Sequence, residues 1–146
     1  MIATYRTIIT TPGALLLAIE DGGAAALREQ WPDWTGGRLP EPLPSLVATA
    51  AQTQSAHTYS GSSQVVHIHP VEGEIFMRIR VRNQIDTLGE RELDVAERFA
   101  EGHSHKEIAQ ALGLSPSTVS NQLSAVYVKL HVSNKAELAQ LLEKIR

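Results

Sequence analysis

Two short amphipathic patterns, separated by a glycine, dominate the last third of the chain. In the first, apolar residues recur at helical spacing between charged and amide residues, which predicts a helix over HKEIAQAL at 105–112. Gly113 follows, where a helix ends in the left-handed conformation that glycine adopts without steric cost. Ser115 is then an N-cap candidate, and Pro116 suits the first position of the next helix. Two helices joined by so short a turn must cross steeply, which is helix-turn-helix geometry.

The second pattern spaces its apolar residues by four, three and four, which makes one buried stripe. Its members are Val119, Leu123, Val126 and Leu130. A flanking segment over 93–100 shows the same periodicity after a weak capping box formed by Gly89 and Glu92. Another follows Asn134 and carries Leu138, Leu141, Leu142 and Ile145. Four helices within residues 88–146 make a small but viable all-α domain.

The first 82 residues predict an α+β domain in which a small antiparallel sheet packs with helices. GALLLAIEDGG reads as one buried strand and a tight turn, and AAALREQW as a short helix. A proline- and glycine-rich loop then leads to a second helix with Ser45 as its candidate cap. Three strands follow, over AHTYS, QVVHIHPV and EIFMRIRVR.

The last two strands predict a hairpin that turns at Glu72-Gly73. In that register Val66 pairs with Ile79 and Ile68 with Met77, which makes one apolar face. The opposite face carries His67, His69, Arg78 and Arg80. Together with His57, these histidines suggest a three-histidine metal site, but a cation beside His67 opposes metal binding. We therefore predict a polar surface that faces solvent or a dimer partner, with no metal.

The C-terminal segment resembles the LuxR-type (GerE-type) helix-turn-helix family. The matching residues run in order without a gap: Leu88, Arg91, Glu92, Val95, Ala100, Gly102, Ser104, Lys106, Glu107, Ile108, Ala109, Leu112, Ser115, Thr118, Val119, Leu123, Lys129, Leu130, Val132, Asn134 and Glu137. The resemblance implies a four-helix domain whose third helix enters the major groove and whose fourth often dimerises. It also implies a sequence-specific transcriptional regulator that binds double-stranded DNA as a homodimer, with RNA polymerase as a further contact.

Residues 1–82 resemble a shortened PAS-like sensor in which the usual second strand after the glycine turn is missing. Dimerisation and the sensing of a small-molecule ligand therefore both stay open as roles for this domain. Residues 83–87 predict a short linker, and residues 88–146 the DNA-binding domain.

Candidate DNA contacts divide into two groups. The base readers on the exposed arc of the third helix are Ser120, Asn121 and Ser124. Asparagine can form two hydrogen bonds with an adenine edge, whereas serine discriminates little between bases. The phosphate contacts are Lys106, Ser115, Ser117, Thr118, Lys129 and Lys135. At each lysine the alternative is an ordinary solvated side chain.

Three positions depart from the family pattern. Ser120 stands where the family usually has a lysine, Gln122 where it has a histidine, and His131 where it has a glycine. Within residues 88–146, seven Lys and Arg face eight Asp and Glu, although DNA-binding modules are usually basic. This nearly neutral charge balance predicts that a monomer binds DNA weakly. It also leaves open a LuxR-type fold that has lost DNA binding and acts as a protein-interaction module or anti-activator.

The composition of the whole chain narrows the remaining classes. The net charge is −3 and there is no cysteine, which excludes disulfides and thiolate chemistry. No apolar run approaches the roughly 18 residues of a membrane helix, and the start lacks a basic signal-peptide region. No catalytic frame or phosphate-binding glycine loop is recognisable. We therefore predict a cytoplasmic protein without cofactor or enzymatic activity.

Overall fold

The chain folds into two compact units that meet in sequence at Arg82 and Asn83. The computed structural model describes residues 4–145. The first unit is α+β and the second is all-α, which confirms the predicted fold class. No helix among the described residues is long and apolar enough to cross a lipid bilayer.

The first unit is a five-stranded antiparallel sheet with two helices on one face. The strands are β1 (Arg6–Thr10), β2 (Leu16–Ile19), β3 (His57–Ser60), β4 (Gln64–Val71) and β5 (Glu74–Val81). Their order across the sheet is β2-β1-β5-β4-β3. The helices are α1 (Gly23–Gln30) and α2 (Leu43–Thr53). Leu27, Leu43 and Val47 of these helices pack on the apolar side of the sheet, where they are shielded from water.

The predicted hairpin between β4 and β5 is confirmed. Val66 pairs with Ile79, Ile68 with Met77 and His67 with Arg78. Glu72 and Gly73 both have positive φ, 50° and 85°, as a two-residue hairpin turn of this kind requires.

The three histidines of the hypothetical metal site do not share a face. His57 pairs with Ile68 across β3 and β4, so it lies on the helix-covered side of the sheet. His67 and His69 lie on the other side. Within residues 4–145 no group of three or more His, Cys, Asp or Glu side chains could hold a metal ion.

The structure corrects the prediction at the start of the chain. Two strands precede α1, because Arg6–Thr10 forms β1 between β2 and β5. The strand within GALLLAIEDGG is β2, which is an edge strand with Leu17 52% exposed rather than a buried one. No strand follows the glycine turn, as predicted, because α1 begins at Gly23; the additional strand, β1, precedes β2.

Ser45 was predicted to cap α2, but this prediction is wrong. The helix begins at Leu43, with Pro42 at the N-cap and Pro44 in the first turn. Proline is tolerated there because the N–H groups of the first turn have no acceptor within the helix. Ser45 lies inside the helix, and its carbonyl accepts a hydrogen bond from the Thr49 hydroxyl at 2.9 Å.

The second unit contains four helices preceded by one 3-10 turn. The helices are α3 (Glu90–Ala100), α4 (His105–Leu112), α5 (Pro116–Leu130) and α6 (Lys135–Ile145). The segment 83–87, predicted as a linker, forms the 3-10 turn Gln84–Thr87. Asn83 and Asp86 stabilise that turn reciprocally, since the Ile85 amide donates to Asn83 Oδ1 and the Asn83 amide donates to Asp86 Oδ2.

Two buried clusters hold these helices together. One joins α3, α4 and α5 through Val95, Ile108, Ala109, Val119 and Leu123. The other joins α3, α5 and α6 through Ala96, Val126, Leu130, Leu138 and Leu142. All four members of the predicted stripe on α5 are buried, so its opposite side faces solvent.

Helix α5 ends on a residue in the left-handed conformation. His131 has φ 55° and ψ 41°, and its amide donates to carbonyls of the last turn. A residue with a Cβ atom pays about 1–2 kcal/mol for this conformation, which glycine adopts freely.

Replacing His131 by glycine is therefore expected to raise the free energy of unfolding of the second unit by about 1 kcal/mol, after the greater chain entropy of glycine is subtracted. Denaturant titration followed by circular dichroism measures the change. Gly113→Ala is the matched reverse substitution: φ there is 67° and nothing lies within 4 Å of an added Cβ. It should destabilise by a similar amount, and a stabilising Gly113→Ala would contradict the backbone argument.

Candidate nucleic-acid interface

The turn between α4 and α5 follows the predicted pattern. Gly113 adopts φ 67° and ψ 35°, and its amide donates to the Ala109 carbonyl. At the other end of α4, the Ser104 amide donates to Glu107 Oε2 and the Glu107 amide donates to Ser104 Oγ. The hydrogen bond from the Ser104 amide holds the pKa of the Glu107 carboxyl below its usual range. Both ends of α4 are thus fixed by local hydrogen bonds.

A cluster of three hydroxyl groups marks the start of α5. Ser115 Oγ accepts a hydrogen bond from the Thr118 amide at 3.1 Å. The same oxygen lies 3.0 Å from Ser117 Oγ and 2.8 Å from Thr118 Oγ1. The Val119 amide donates to the Ser115 carbonyl, and Pro116 has no N–H. The Ser117 amide is therefore the backbone N–H of this first turn that makes no hydrogen bond within residues 4–145. It lies at the positive end of the helix dipole.

The three predicted base readers lie on one solvent-exposed face of α5. Ser120, Asn121 and Ser124 are all exposed. Ser124 Oγ donates to the Ser120 carbonyl at 3.1 Å, so this hydroxyl already has a partner within its own helix. The Asn121 side chain has no hydrogen bond within the described residues, and both its donor and its acceptor point into solvent. Of the three, Asn121 is the best placed to bond a base edge.

Two features of this helix were missed by sequence reasoning. Val128 is 75% exposed and lies one helical turn after Ser124, so it extends the same face with an apolar tip. The helical spacing of 121, 124 and 128 would have identified it. Gln122 does not belong to the face, because its Oε1 atom is buried and has no hydrogen-bond partner among the described residues.

The three predicted phosphate-binding lysines have different surroundings. Lys106 is exposed on α4 and has no ion pair among residues 4–145. The ammonium group of Lys135 lies 4.7 Å from the centre of the Phe99 ring, a cation–π contact between α6 and α3. Lys129 Nζ lies 2.8 Å from Glu92 Oε2 and 3.1 Å from Glu92 Oε1, so its charge is already paired. Lys106 therefore has the most available charge.

The ion pair between Glu92 and Lys129 connects α3 to α5. Glu92 Oε2 also accepts a hydrogen bond from the Gly89 amide at 2.9 Å, which is the return bond of the predicted capping box. The hydrogen bond from Lys129, followed by that from Gly89, lowers the pKa of the Glu92 carboxyl. Because the Glu92 side chain is only 19% exposed, this pair is better shielded than an ordinary surface pair.

Replacing Glu92 by glutamine is expected to flatten the pH dependence of stability in acid. A carboxyl whose pKa is lowered by folding stabilises the protein above its unfolded value of about 4.3, and this contribution is lost as the pH falls through the folded value. We expect a loss of about 0.5–1 kcal/mol at neutral pH for Glu92→Gln, and little below pH 3. Denaturant titrations from pH 7 to pH 3 measure it. Glu90→Gln removes the same charge two positions earlier on α3, where the carboxylate has no ion pair among residues 4–145, and an equal effect there would contradict the assignment.

The sequence of the second unit is similar to a family of known proteins. Residues 86–142 match the family model described as bacterial regulatory proteins, luxR family. Over 55 residues the chain is 51% identical to the transcriptional regulatory protein UhpA of Escherichia coli (strain K12). It is 40% identical over 55 residues to the transcriptional regulatory protein DesR of Bacillus subtilis (strain 168). Each match covers 38% of this chain and 28% of the relative. The chain thus spans less than a third of the length of these curated relatives.

A solved structure, the Vibrio cholera VqmA-ligand-DNA complex, aligns over 95% of this chain and 81% of that one. The sequence identity is 12% and the TM-score is 0.41.

Proposed function

Residues 86–142 form a LuxR-type helix-turn-helix domain, and from this we propose that the chain is a sequence-specific DNA-binding transcriptional regulator that acts as a homodimer. The observation that carries the proposal is the exposed polar face of α5. This face lies opposite the buried stripe, follows a hydroxyl-rich N-terminus, and belongs to the second helix of the helix-turn-helix. In this architecture the second helix lies in the major groove.

Asn121 is the proposed reader of base identity. Its free side-chain amide can donate from Nδ2 to N7 of adenine and accept at Oδ1 from the N6 amino group, a bidentate pair that distinguishes adenine from the other bases. Ser120 and Ser124 contribute weaker, less selective hydrogen bonds, and Ser124 must share its hydroxyl with the Ser120 carbonyl. The family's lysine at position 120 is absent, so specificity rests on neutral groups.

The proposed phosphate contacts surround the start of α5. Ser115, Ser117 and Thr118 offer hydroxyl groups and the Ser117 amide for one phosphate oxygen. Lys106 provides a positive charge that has no ion pair among the residues that the structure describes. Lys129 and Lys135 remain proposed contacts, but each must give up part of an existing interaction with Glu92 or Phe99 to reach a phosphate.

Replacing Lys106 by alanine is expected to weaken binding to all DNA sequences alike and to reduce the slope of log affinity against log salt by about one. Lys129→Ala is the matched comparison, since its charge is paired with Glu92. We expect it to change the slope less. Fluorescence anisotropy at several salt concentrations measures both slopes, and a larger change for Lys129 would reverse the proposed order of the two lysines.

Dimerisation is proposed because a single neutral reading face provides little affinity. Two such faces on a two-fold site would lie about one helical turn of DNA apart. The first unit would provide dimerisation, the sensing of a small molecule, or both. A cytoplasmic location and a contact with RNA polymerase are extensions of the same proposal, which includes no catalytic activity and no cofactor.

Selection from a randomised DNA pool at low and at moderate salt tests the proposal. We expect an enriched motif with two-fold symmetry and with adenine at one position of each half-site. If nothing binds at low salt and no motif is enriched, the DNA-reading proposal fails.

The second candidate is a LuxR-type fold that has lost DNA binding and serves as a protein-interaction module or anti-activator. The absence of a cation on the face formed by Ser120, Asn121, Ser124 and Val128 favours it. This candidate predicts no binding in the DNA pool by a folded protein, together with a stable complex with another regulator or its polymerase.

A further inference from the structure

The two edge strands of the sheet differ in character. β3 presents the polar sequence HTYS, whereas β2 presents LLAI, without a charge or a proline. Six large hydrophobic side chains are exposed in the part of the chain that the structure describes, and three of them, Leu15, Leu17 and Ile19, lie on or beside β2. Natural sheets usually protect an edge strand with a charge or a proline, and β2 has neither.

The outer side of β2 is only partly covered. The Leu16 amide donates to the Gly37 carbonyl at 2.9 Å, so a loop covers the start of the strand. Beyond the other end, the Glu20 amide donates inward to a carbonyl of β1 at 2.9 Å. Backbone groups alternate between the two sides of an antiparallel strand, so those of Ile19 point away from β1. They make no hydrogen bond outside the sheet within residues 4–145, which leaves residues 17–19 as an open edge.

Charges of opposite sign flank this edge. Asp21 follows β2, and its exposed carboxylate has no hydrogen bond or ion pair within the described residues. Arg38 lies beside Leu15 at the other end, where the two residues form an isolated β-bridge. Its Nη1 atom donates to the Gly13 carbonyl at 3.0 Å, and the rest of the exposed guanidinium has no partner among residues 4–145. The four residues of β2 span roughly 13 Å, which keeps the two charges of one chain apart.

We propose that β2 pairs antiparallel with β2 of a second copy of the chain, across a two-fold axis beside Ile19. In this arrangement the two Ile19 residues exchange two backbone hydrogen bonds, and aliphatic side chains of both strands are removed from water. Antiparallel pairing brings the end of each strand to the start of the other, so Asp21 of each copy lies near Arg38 of the other. The pairing rests on the homodimer of the proposed function and gives that dimer a surface in the first unit.

Other arrangements of two copies fit the sheet less well. If β2 paired with β3 of the next copy, one edge would stay free at each end and the assembly would grow into an open filament. The sheet face opposite the helices carries Arg78 and Arg80, so two such faces stacked on each other would bring like charges together. The symmetric β2 pair closes as a dimer and brings opposite charges together.

Sedimentation equilibrium of the full chain without DNA tests the pairing. So short an edge buries less than the roughly 1,200 Å² of a standard interface, so we expect a weak dimer. A concentration range of roughly 1–300 μM brackets a Kd on the order of tens of micromolar. Over this range the average mass should rise from that of one chain toward twice that value.

Leu17→Glu should raise the Kd of the dimer at least about tenfold. The substitution occurs twice in the dimer, removes two aliphatic side chains and places each new carboxylate opposite Asp21 of the other copy. Val71→Glu is the matched control, because it replaces another exposed aliphatic residue on β4, which two strands separate from β2. It should leave the Kd unchanged.

A charge swap tests the register of the two strands. Asp21→Lys and Arg38→Glu should each raise the Kd about three- to tenfold, since each creates two pairs of like charge across the axis. The double variant should return the Kd to within about twofold of its original value. Arg38→Glu keeps the backbone carbonyl that accepts the Trp34 indole N–H, and circular dichroism of each variant shows that it is folded.

The pairing is overturned if Leu17→Glu dimerises as the original chain does, or if the double charge variant stays as weak as the single ones. A dimer that survives Leu17→Glu removes this surface but leaves the homodimer of the proposed function. A chain that stays monomeric at the highest concentration overturns both. DNA reading is a separate result, because it is measured by selection from the DNA pool.

Discussion

Replacing Leu130 by alanine is expected to remove from about half to nearly all of the stability of the second unit, while the first unit keeps its own. Leu130 is 1% exposed and belongs to the cluster that joins α3, α5 and α6. Removing a buried leucine side chain typically costs about 2–5 kcal/mol, because its burial is lost and a cavity remains. A four-helix unit of this size has only about 5 kcal/mol of stability to lose. NMR amide signals recorded by residue would show which unit has unfolded, and DNA binding should disappear with the second.

Val128→Ala is the control for this experiment. It truncates an apolar side chain on the same helix, two positions away, but that side chain is 75% exposed. Its effect on the free energy of unfolding should stay within about 0.5 kcal/mol. A Leu130→Ala protein that retains the stability of Val128→Ala would show that the second core cluster does not hold the three helices together.

Replacing Asn121 by alanine is expected to relax one position of the DNA motif and to leave the others intact. A bidentate contact between asparagine and adenine is worth about 1–3 kcal/mol of discrimination, which is roughly a 5- to 150-fold preference over another base. Because Asn121 is exposed on α5, the substitution should not lower the stability of the unit. Repeating the pool selection with the variant measures the change position by position.

Ser124→Ala is the matched variant on the same face. The Ser124 hydroxyl is already bonded to the Ser120 carbonyl, so its removal should alter the motif less than Asn121→Ala does. An unchanged motif after Asn121→Ala would refute Asn121 as the base reader. A motif that changes at the same position with Ser124→Ala but not with Asn121→Ala would transfer the role to Ser124.

The second unit could be predicted from the sequence because its signals are local. A helix favours glycine at a left-handed end, serine at the N-cap and proline in the first turn, so these residue types mark helix ends. The structure places Gly113, Ser115 and Pro116 at these positions, as predicted. The apolar stripe from Val119 to Leu130 has the period of one buried helix face. Such patterns require no knowledge of residues distant along the chain.

Features that depend on distant partners could not be predicted in this way. β1 contains adjacent Ile8 and Ile9 beside threonines, so it lacks the alternation of a half-buried strand, and its pairing with β5 lies about 70 residues away. The ion pair of Lys129 with Glu92 joins residues 37 positions apart. The burial of Gln64 depends on Glu29 of α1, which no periodicity in β4 indicates. The predicted cap at Ser45 was wrong for a local reason. A proline can stand either just before a capping serine or inside the first turn of a helix, and Pro44 does the latter.

The uncharged face of α5 has a consequence for how such a regulator would search a genome. Readers with a basic groove hold any duplex through its phosphates and slide along it between encounters. A reading face made of Ser120, Asn121 and Ser124 would hold non-target DNA weakly, so most encounters would end before sliding begins. The regulator would then find its site by repeated collisions from solution. The occupancy of the site would depend more on the number of dimers in the cell than on the ionic strength of the cytoplasm.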